Sequence, residues 1–167
     1  LTPITTRDGP DFSPAVSPDG KTIAYLGFDD EVKSYQQTRM YLMDADGSNQ
    51  RQIAADTDRS FNALKWSGNS KTIYSLVENM GVLDVLATDM KGNTTTVATG
   101  IGGTSIGRPY SDGAFSVSAT RKPVFAYTAG FADKPSEIAV KQNTSDPRVL
   151  TDLNGDVLPY LEMGKLE

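Results

Sequence analysis

The stretch SPDGKTIAYL, Ser17 to Leu26, decides the fold because it recurs as SGNSKTIYSL, Ser67 to Leu76, at an offset of 50 residues. A third version, SATRKPVFAYT, runs from Ser118 to Thr128. Each copy opens with a small polar turn, passes through lysine and continues into an alternating apolar run. Pro18-Asp19-Gly20 is a tight-turn sequence, since proline presets φ and glycine tolerates positive φ. Asn69-Ser70 and Thr120-Arg121 hold the same place with weaker turn chemistry. After the turn, Ile23 and Tyr25 alternate with Ala24 and Leu26, and Ile73 and Ser75 with Tyr74 and Leu76. A period of two is the signature of a strand.

Each repeat carries a second half. RMYLMDADGSNQRQI (Arg39 to Ile53) reads as strand, Asp46-Gly47 turn, strand. Asp-Gly between two strands is a strong hairpin signal. LDVLATDMKGNTTTVA (Leu83 to Ala98) repeats it with Lys91-Gly92-Asn93 at the turn, and EIAVKQNTSDPRVLT (Glu137 to Thr151) with a longer turn from Asn143 to Pro147. One more short strand precedes each SPDG-like turn: Ser13 to Val16, Asn62 to Trp66 and Ala114 to Val117.

Four short strands in a repeat of this length, with no helical periodicity, predict an all-β chain forming part of a β-propeller. A β-sandwich would not predict the self-similarity. The predicted blades are 11–55, 60–100 and 112–152, and the opening LTPIT (Leu1 to Thr5) reads as the closing strand of a preceding blade. Its counterpart at the other end is VLTD, Val149 to Asp152, with residues 153–167 beginning a linker. Three blades fall below the usual four to eight. The reading is therefore of a piece of a larger propeller, or of a chain that closes its ring by self-association through open blade edges.

Composition narrows the function classes. The chain has 167 residues, 38% hydrophobic and 22% charged, with a net charge of -5. There is no basic patch of the kind that binds phosphate backbones. No apolar run reaches the length of a membrane-crossing helix. Neither nucleic acid nor membrane is an expected partner. Cysteine is absent, which excludes disulfides and thiolate chemistry. Histidine is absent as well, removing the commonest general base and metal ligand. The chain begins at Leu1 without methionine or signal peptide, and is read as a fragment or processed form.

The pattern of SPDGK-x-IA-Y followed by YLMDADGSN-x-R resembles the propeller repeats of TolB and of the prolyl oligopeptidase family of serine peptidases. The third repeat points to the peptidases. Its run from Phe115 to Leu158 resembles the last propeller blade of acylaminoacyl-peptidase and dipeptidyl-peptidase-like members. Pro135, Glu137, Ile138 and Val140 match a Pro-x-Glu-(Ile/Leu)-x-Val segment; Arg148, Leu150, Thr151, Leu153 and Asn154 match the closing Arg-x-Leu-Thr-x-Leu-Asn. The resemblance implies a parent enzyme cleaving short peptides, with a Ser-Asp-His triad in an α/β-hydrolase domain C-terminal to the propeller. The propeller would gate and line access to that active site. Many such bacterial members are exported, so a periplasmic or secreted origin is favoured over a cytoplasmic one. A TolB-like protein-binding propeller without a catalytic partner domain is the alternative.

GTSIG, Gly103 to Gly107, fits the G-x-S-x-G pattern of serine hydrolases. A catalytic Ser105 needs a strand-to-helix turn and a base, yet RPYSDGAFSVS (Arg108 to Ser118) reads as turn and strand, and no histidine exists. A lysine base, Lys91 or Lys122, has no support in the spacing. Ser105 is expected to be a loop serine. Asp29, Asp30 and Glu31 supply oxygen ligands suited to calcium, but read as a solvated loop. Asp44, Asp46 and Asn49 lack the spacing and distal glutamate of a calcium loop and read as a hairpin turn. Trp66 is expected to pack between blades. Tyr35, Tyr110 and Phe131 lie near loops and are candidates to face the central channel, and the sequence does not say which of them does. Glu78 and Glu137 are not in the paired-glutamate arrangement that holds substrate amino termini in dipeptidyl-peptidase-type members, and Glu137 reads as part of a structural strand. No catalytic, cofactor-binding or metal residue is assigned to this chain, and no cofactor is expected.

Overall fold

The computed structural model describes residues 3–103, 113–131, 134–142 and 144–162. Twelve strands form three consecutive four-stranded antiparallel units, as blades of a partial β-propeller. The first contains β1 (Asp11–Val16), β2 (Thr22–Gly27), β3 (Arg39–Asp44) and β4 (Arg51–Ile53). In the second are β5 (Phe61–Trp66), β6 (Thr72–Asn79), β7 (Val82–Asp89) and β8 (Thr94–Ile101). The third holds β9 (Phe115–Val117), β10 (Val124–Ala129), β11 (Glu137–Gln142) and β12 (Arg148–Val149). Neighbours in sequence pair within each blade, the meander that short turns permit.

The repeated turn has a repeated mechanism. Ser17 Oγ donates to Asp19 Oδ1 (2.6 Å), Lys21 N donates to the same oxygen (3.2 Å) and Thr22 N donates to Ser17 Oγ (3.0 Å). Ser67, Asn69, Lys71 and Thr72 reproduce all three bonds at 2.8, 3.1 and 3.0 Å. An amide oxygen thus does the work of the carboxylate. Gly20 has φ +72°, and its counterpart Ser70 accepts the same left-handed conformation at φ +58°. In the third blade Ser118 Oγ bonds Thr120 Oγ1 (2.9 Å) and accepts from Val124 N (2.9 Å), one residue later than in the other two. The inner strands repeat a defect too. β1 shifts register between Phe12 and Ala15, with Ser13 at φ +50°; β5 shifts between Asn62 and Lys65, with Ala63 at φ +51°. Such a bulge bends the strand and raises its twist.

Burial records each blade's position. The middle blade is covered on both faces, so Ile73–Val77 are buried without interruption. The third blade is covered on one face only, and β10 alternates half-buried and buried. Ala24, Leu26, Met40 and Leu42 of the first blade meet Phe61, Leu64, Ile73, Val77 and Leu86 of the second in one core. Tyr74, Leu76, Val85 and Ala98 meet Phe125, Tyr127 and Ala139 of the third in another. On the first blade's far face, Tyr25 and Tyr41 stack with ring centroids 5.4 Å apart. The Arg7 guanidinium lies 4.0 Å above Tyr41 and pairs with Asp11, so the segment before β1 covers this face. Pro3–Thr5 has no ladder partner among the described residues. Ile4 O accepts from Gln50 Nε2 (2.5 Å).

Candidate functional site

The region where the chain leaves the third blade carries its most unusual polar group. Glu137 opens β11, opposite Ala129, and is only 3% exposed. Burying a carboxylate is costly unless its oxygens are hydrogen-bonded. Thr151 Oγ1 donates to Glu137 Oε2, and Leu153 N donates to Oε1 (3.1 Å) and Oε2 (3.3 Å). Ile138 N donates to Thr151 Oγ1 (2.9 Å), and Leu150 N to Ile138 O (2.7 Å). Among the described residues no lysine or arginine pairs with Glu137. The glutamate therefore clasps the exit segment by neutral donors. This gives a physical role to the Glu, Leu-Thr and Leu positions of the two quoted motifs.

Beyond the clasp the surface turns apolar. Ile138 is 39% exposed, Leu153 67% and Tyr160 86%, and Leu150, Val157 and Leu161 are also exposed. The chain ends its described course in a short 3-10 turn, Leu158–Tyr160, with Pro159 in its first turn.

Residues singled out in the sequence fall in separate places. Ser105 and Tyr110 lie outside the described residues. Among the described residues on either side of them, Ser136 Oγ donates to Gly103 O (2.6 Å) and Ala114 N to Thr128 Oγ1 (3.0 Å). The acidic run does not converge. Asp29 faces Arg7 Nε at 3.5 Å, and Glu31 pairs with Lys33. Asp30 accepts from Val32 N (2.8 Å) and Gln36 Nε2 (3.0 Å), bonds that hold its pKa below the ordinary value. Among the described residues no three acidic groups gather around one point. Asp44, Asp46 and Asn49 all serve the β3–β4 hairpin: Asn49 Nδ2 donates to Asp44 Oδ2 (2.6 Å), and Ser48 Oγ to Asp46 Oδ1 (2.6 Å). Trp66 packs on the first inter-blade core, and its Nε1 donates to Ala15 O (2.8 Å) in the neighbouring blade. Tyr35 Oη bonds Ser60 Oγ (3.2 Å) above the same seam. Lys134 lies 4.2 Å over the Phe131 ring. Glu78 is exposed beside Phe12 and Asn62, in a cleft of about 230 Å³.

Two polar features have no counterpart in the sequence reading. Asp84 is buried on β7, where Oδ2 accepts from Asn79 Nδ2 (2.8 Å) and lies 3.5 Å from Arg59 Nη1. Ser75 and Thr88 are buried on the same blade face, and their hydroxyls find no partner. A strand pattern with serine, threonine and aspartate at inward positions was the available signal. The second feature is a cleft between the second and third blades, described below.

Comparison with known proteins places this architecture. No protein-family model matches the chain. A probable dipeptidyl-peptidase 5 of Arthroderma benhamiae is 38% identical over 105 residues, which is 54% of this chain and 14% of that protein. Dipeptidyl-peptidase 5 of Trichophyton schoenleinii matches to the same extent, and that of Arthroderma otae is 36% identical over the same length. The chain is a partial β-propeller, and its sequence relatives are dipeptidyl-peptidases. It matches about one seventh of their length. Among solved structures, the β-propeller domain of the trilobed protease from Pyrococcus furiosus superimposes with a TM-score of 0.55 and 17% identity, covering 83% of this chain and 37% of that one. TolB from Acinetobacter baumannii gives 0.50 and 17%, covering 89% and 45%. At such identity the likeness is one of fold.

Proposed function

We propose that this chain is a non-catalytic portion of the propeller of a serine peptidase in the prolyl oligopeptidase family. In this reading the propeller gates and lines access to an active site in a C-terminal α/β-hydrolase domain of the same parent, which cleaves short peptides. The observation that carries the reading is the 38% identity to dipeptidyl-peptidase 5 on a chain folded into propeller blades. The clasp at Glu137 supports it: a propeller that carries a second domain needs its exit strand fixed, and three hydrogen bonds to a buried carboxylate fix it. The apolar surface around Leu150, Leu153 and Tyr160 is then buried by the remainder of the parent.

The test is hydrolysis of dipeptidyl p-nitroanilides by the full-length native protein and by this chain alone. The expected result is turnover by the former and none by the latter. Hydrolysis by the chain alone, lost on Ser105→Ala, contradicts the reading. A full-length protein that is inert towards these substrates and captures a protein partner through its propeller supports the TolB-like alternative.

A further inference from the structure

The second and third blades touch at both ends, through Gly68 against the Ala119 carbonyl at one and through a piece of sheet at the other. In that sheet, Gly102 N donates to Thr128 O (3.2 Å), Gly130 N to Gly100 O (2.8 Å), and Ile101 pairs with Ala129. At the opposite end the β7–β8 tip leans towards the first blade: Met90 packs on that core and its carbonyl lies 3.5 Å from Arg51 Nη2. A cleft of about 520 Å³ lies between β6–β8 and β10–β11. Pockets of roughly 300–1,000 Å³ hold small molecules.

The cleft has a floor and two unlike walls. Half-buried Ala87, Val97 and Pro123 give the floor its apolar surface, and beneath them Tyr74 and Phe125 stack edge to face with centroids 4.9 Å apart. Thr72 and Thr95 contribute hydroxyls. The second-blade wall ends in Asp89, opposite Thr72 in the ladder. Asp89 Oδ1 accepts from Lys91 N (2.8 Å) and Asn93 N (2.9 Å), and among the described residues Oδ2 accepts only from Asn93 Nδ2 (2.7 Å). A carboxylate has about four acceptor positions, so Oδ2 keeps one free. Those bonds, that from the Asn93 side chain above all, hold the group ionised below the ordinary aspartate range. The third-blade wall carries Lys141, paired with Phe125 in the ladder and half-buried. Among the described residues Lys141 makes no ion pair, so it stands apart from Asp89.

We infer that this cleft binds a zwitterion with an apolar body, its ammonium on Asp89, its carboxylate on Lys141 and its apolar part against the half-buried Ala87, Val97 and Pro123. An anion alone would meet Asp89, and a cation alone would meet Lys141. A molecule bearing both charges with an apolar body satisfies both walls and the apolar lining of Ala87, Val97 and Pro123. The site is independent of the peptidase reading, because it uses no catalytic group and needs no further domain.

The experiment is titration of the full chain with glycyl-L-phenylalanine, followed by calorimetry and by amide chemical shifts of β7, β8 and β10. Two analogues are run beside it: the N-acetylated dipeptide, which lacks the ammonium, and the dipeptide amide, which lacks the carboxylate. The expected result is saturable binding, weakened about tenfold or more in each analogue, as for loss of a charge-assisted hydrogen bond. Lys141→Gln is expected to weaken the parent dipeptide by the same factor and to leave the amide's affinity unchanged. Absence of saturable binding up to about 10 mM, far above the range where a specific site of this kind fills, overturns the inference. Equal affinity for the three ligands overturns it as well. Because the analogues alter the ligand, the test does not depend on any variant folding.

Discussion

The seam between the first and second blades and the seam between the second and third are made by one repeat and held differently. The first is fastened mostly by side chains, beside one backbone bond from Phe61 N to Thr38 O (3.1 Å). Trp66 reaches the Ala15 carbonyl, Ser70 Oγ accepts from Asp19 N (3.1 Å), and Arg51 approaches Met90 O. The second is fastened by backbone. Its junction at Ile101 and Ala129 is a piece of sheet, and Gly68 lies so close to the Ala119 carbonyl that a Cβ would sit 2.1 Å from that oxygen. The second seam thus has a backbone contact at each end, with the cleft opening between β6–β8 and β10–β11. A repeat thus fixes the blade, while the few residues that depart from it fix the contact between blades.

The largest expected effect lies in the second core. Phe125→Ala removes a fully buried ring that contacts Tyr74, and should lower unfolding free energy by about 3–5 kcal/mol in urea titration. Leu42→Ala in the first core should cost about 2–5 kcal/mol, so similar losses would make the seams equal partners. Next is Gly68→Ala. It pushes backbone against backbone and should cost about 1–3 kcal/mol, with amide shifts confined to the second and third blades. A neutral Gly68→Ala would break the claim of close backbone contact. Trp66→Phe keeps a ring but leaves the Ala15 carbonyl without its donor, at about 1 kcal/mol, read as a lower melting temperature. Ser70→Gly sharpens the comparison. Glycine relieves a left-handed backbone worth about 1–2 kcal/mol, but the bond from Asp19 N, worth about 1 kcal/mol, is lost. Near-cancellation is expected, and a loss above about 1.5 kcal/mol would show the inter-blade bond to dominate.

Acid gives the smallest and broadest effect. Asp19, Asp46 and Asp89 are held below the ordinary aspartate value of 3.8, chiefly by hydrogen bonds from Ser17, Ser48 and Asn93 respectively. A lowered folded-state pKa contributes stability that is present above the unfolded value and is lost as pH falls through the folded one. Melting temperature should therefore hold from pH 7 to about 5 and drop below about 3.8, with Asp19→Asn flattening part of the drop.

Strand content and blade count were legible because alternation and turn residues act locally. SGNSK was readable as a turn even without Pro-Asp-Gly, since Asn69 offers the same acceptor at the same place. Glu137 was legible as a structural residue, and its partners Thr151 and Leu153 stand in the motif that flags it. What was not legible depends on neighbours distant in sequence. The inward placing of Asp84 on its strand hints at burial but not at its partners, and nothing in the spacing of Asp89 and Lys141 places them on facing walls. Arg7 over Tyr41 is a contact between an irregular segment and a strand, and no periodicity announces it.

The measurement that tests the central claim most directly is the native reading frame beyond Glu167. The account predicts a further domain of roughly 250 residues with alternating strands and helices. That domain should carry a G-x-S-x-G on a strand-turn-helix, followed by an aspartate and a histidine. A frame that stops there, or that continues only with more SPDG-like blades, would contradict it.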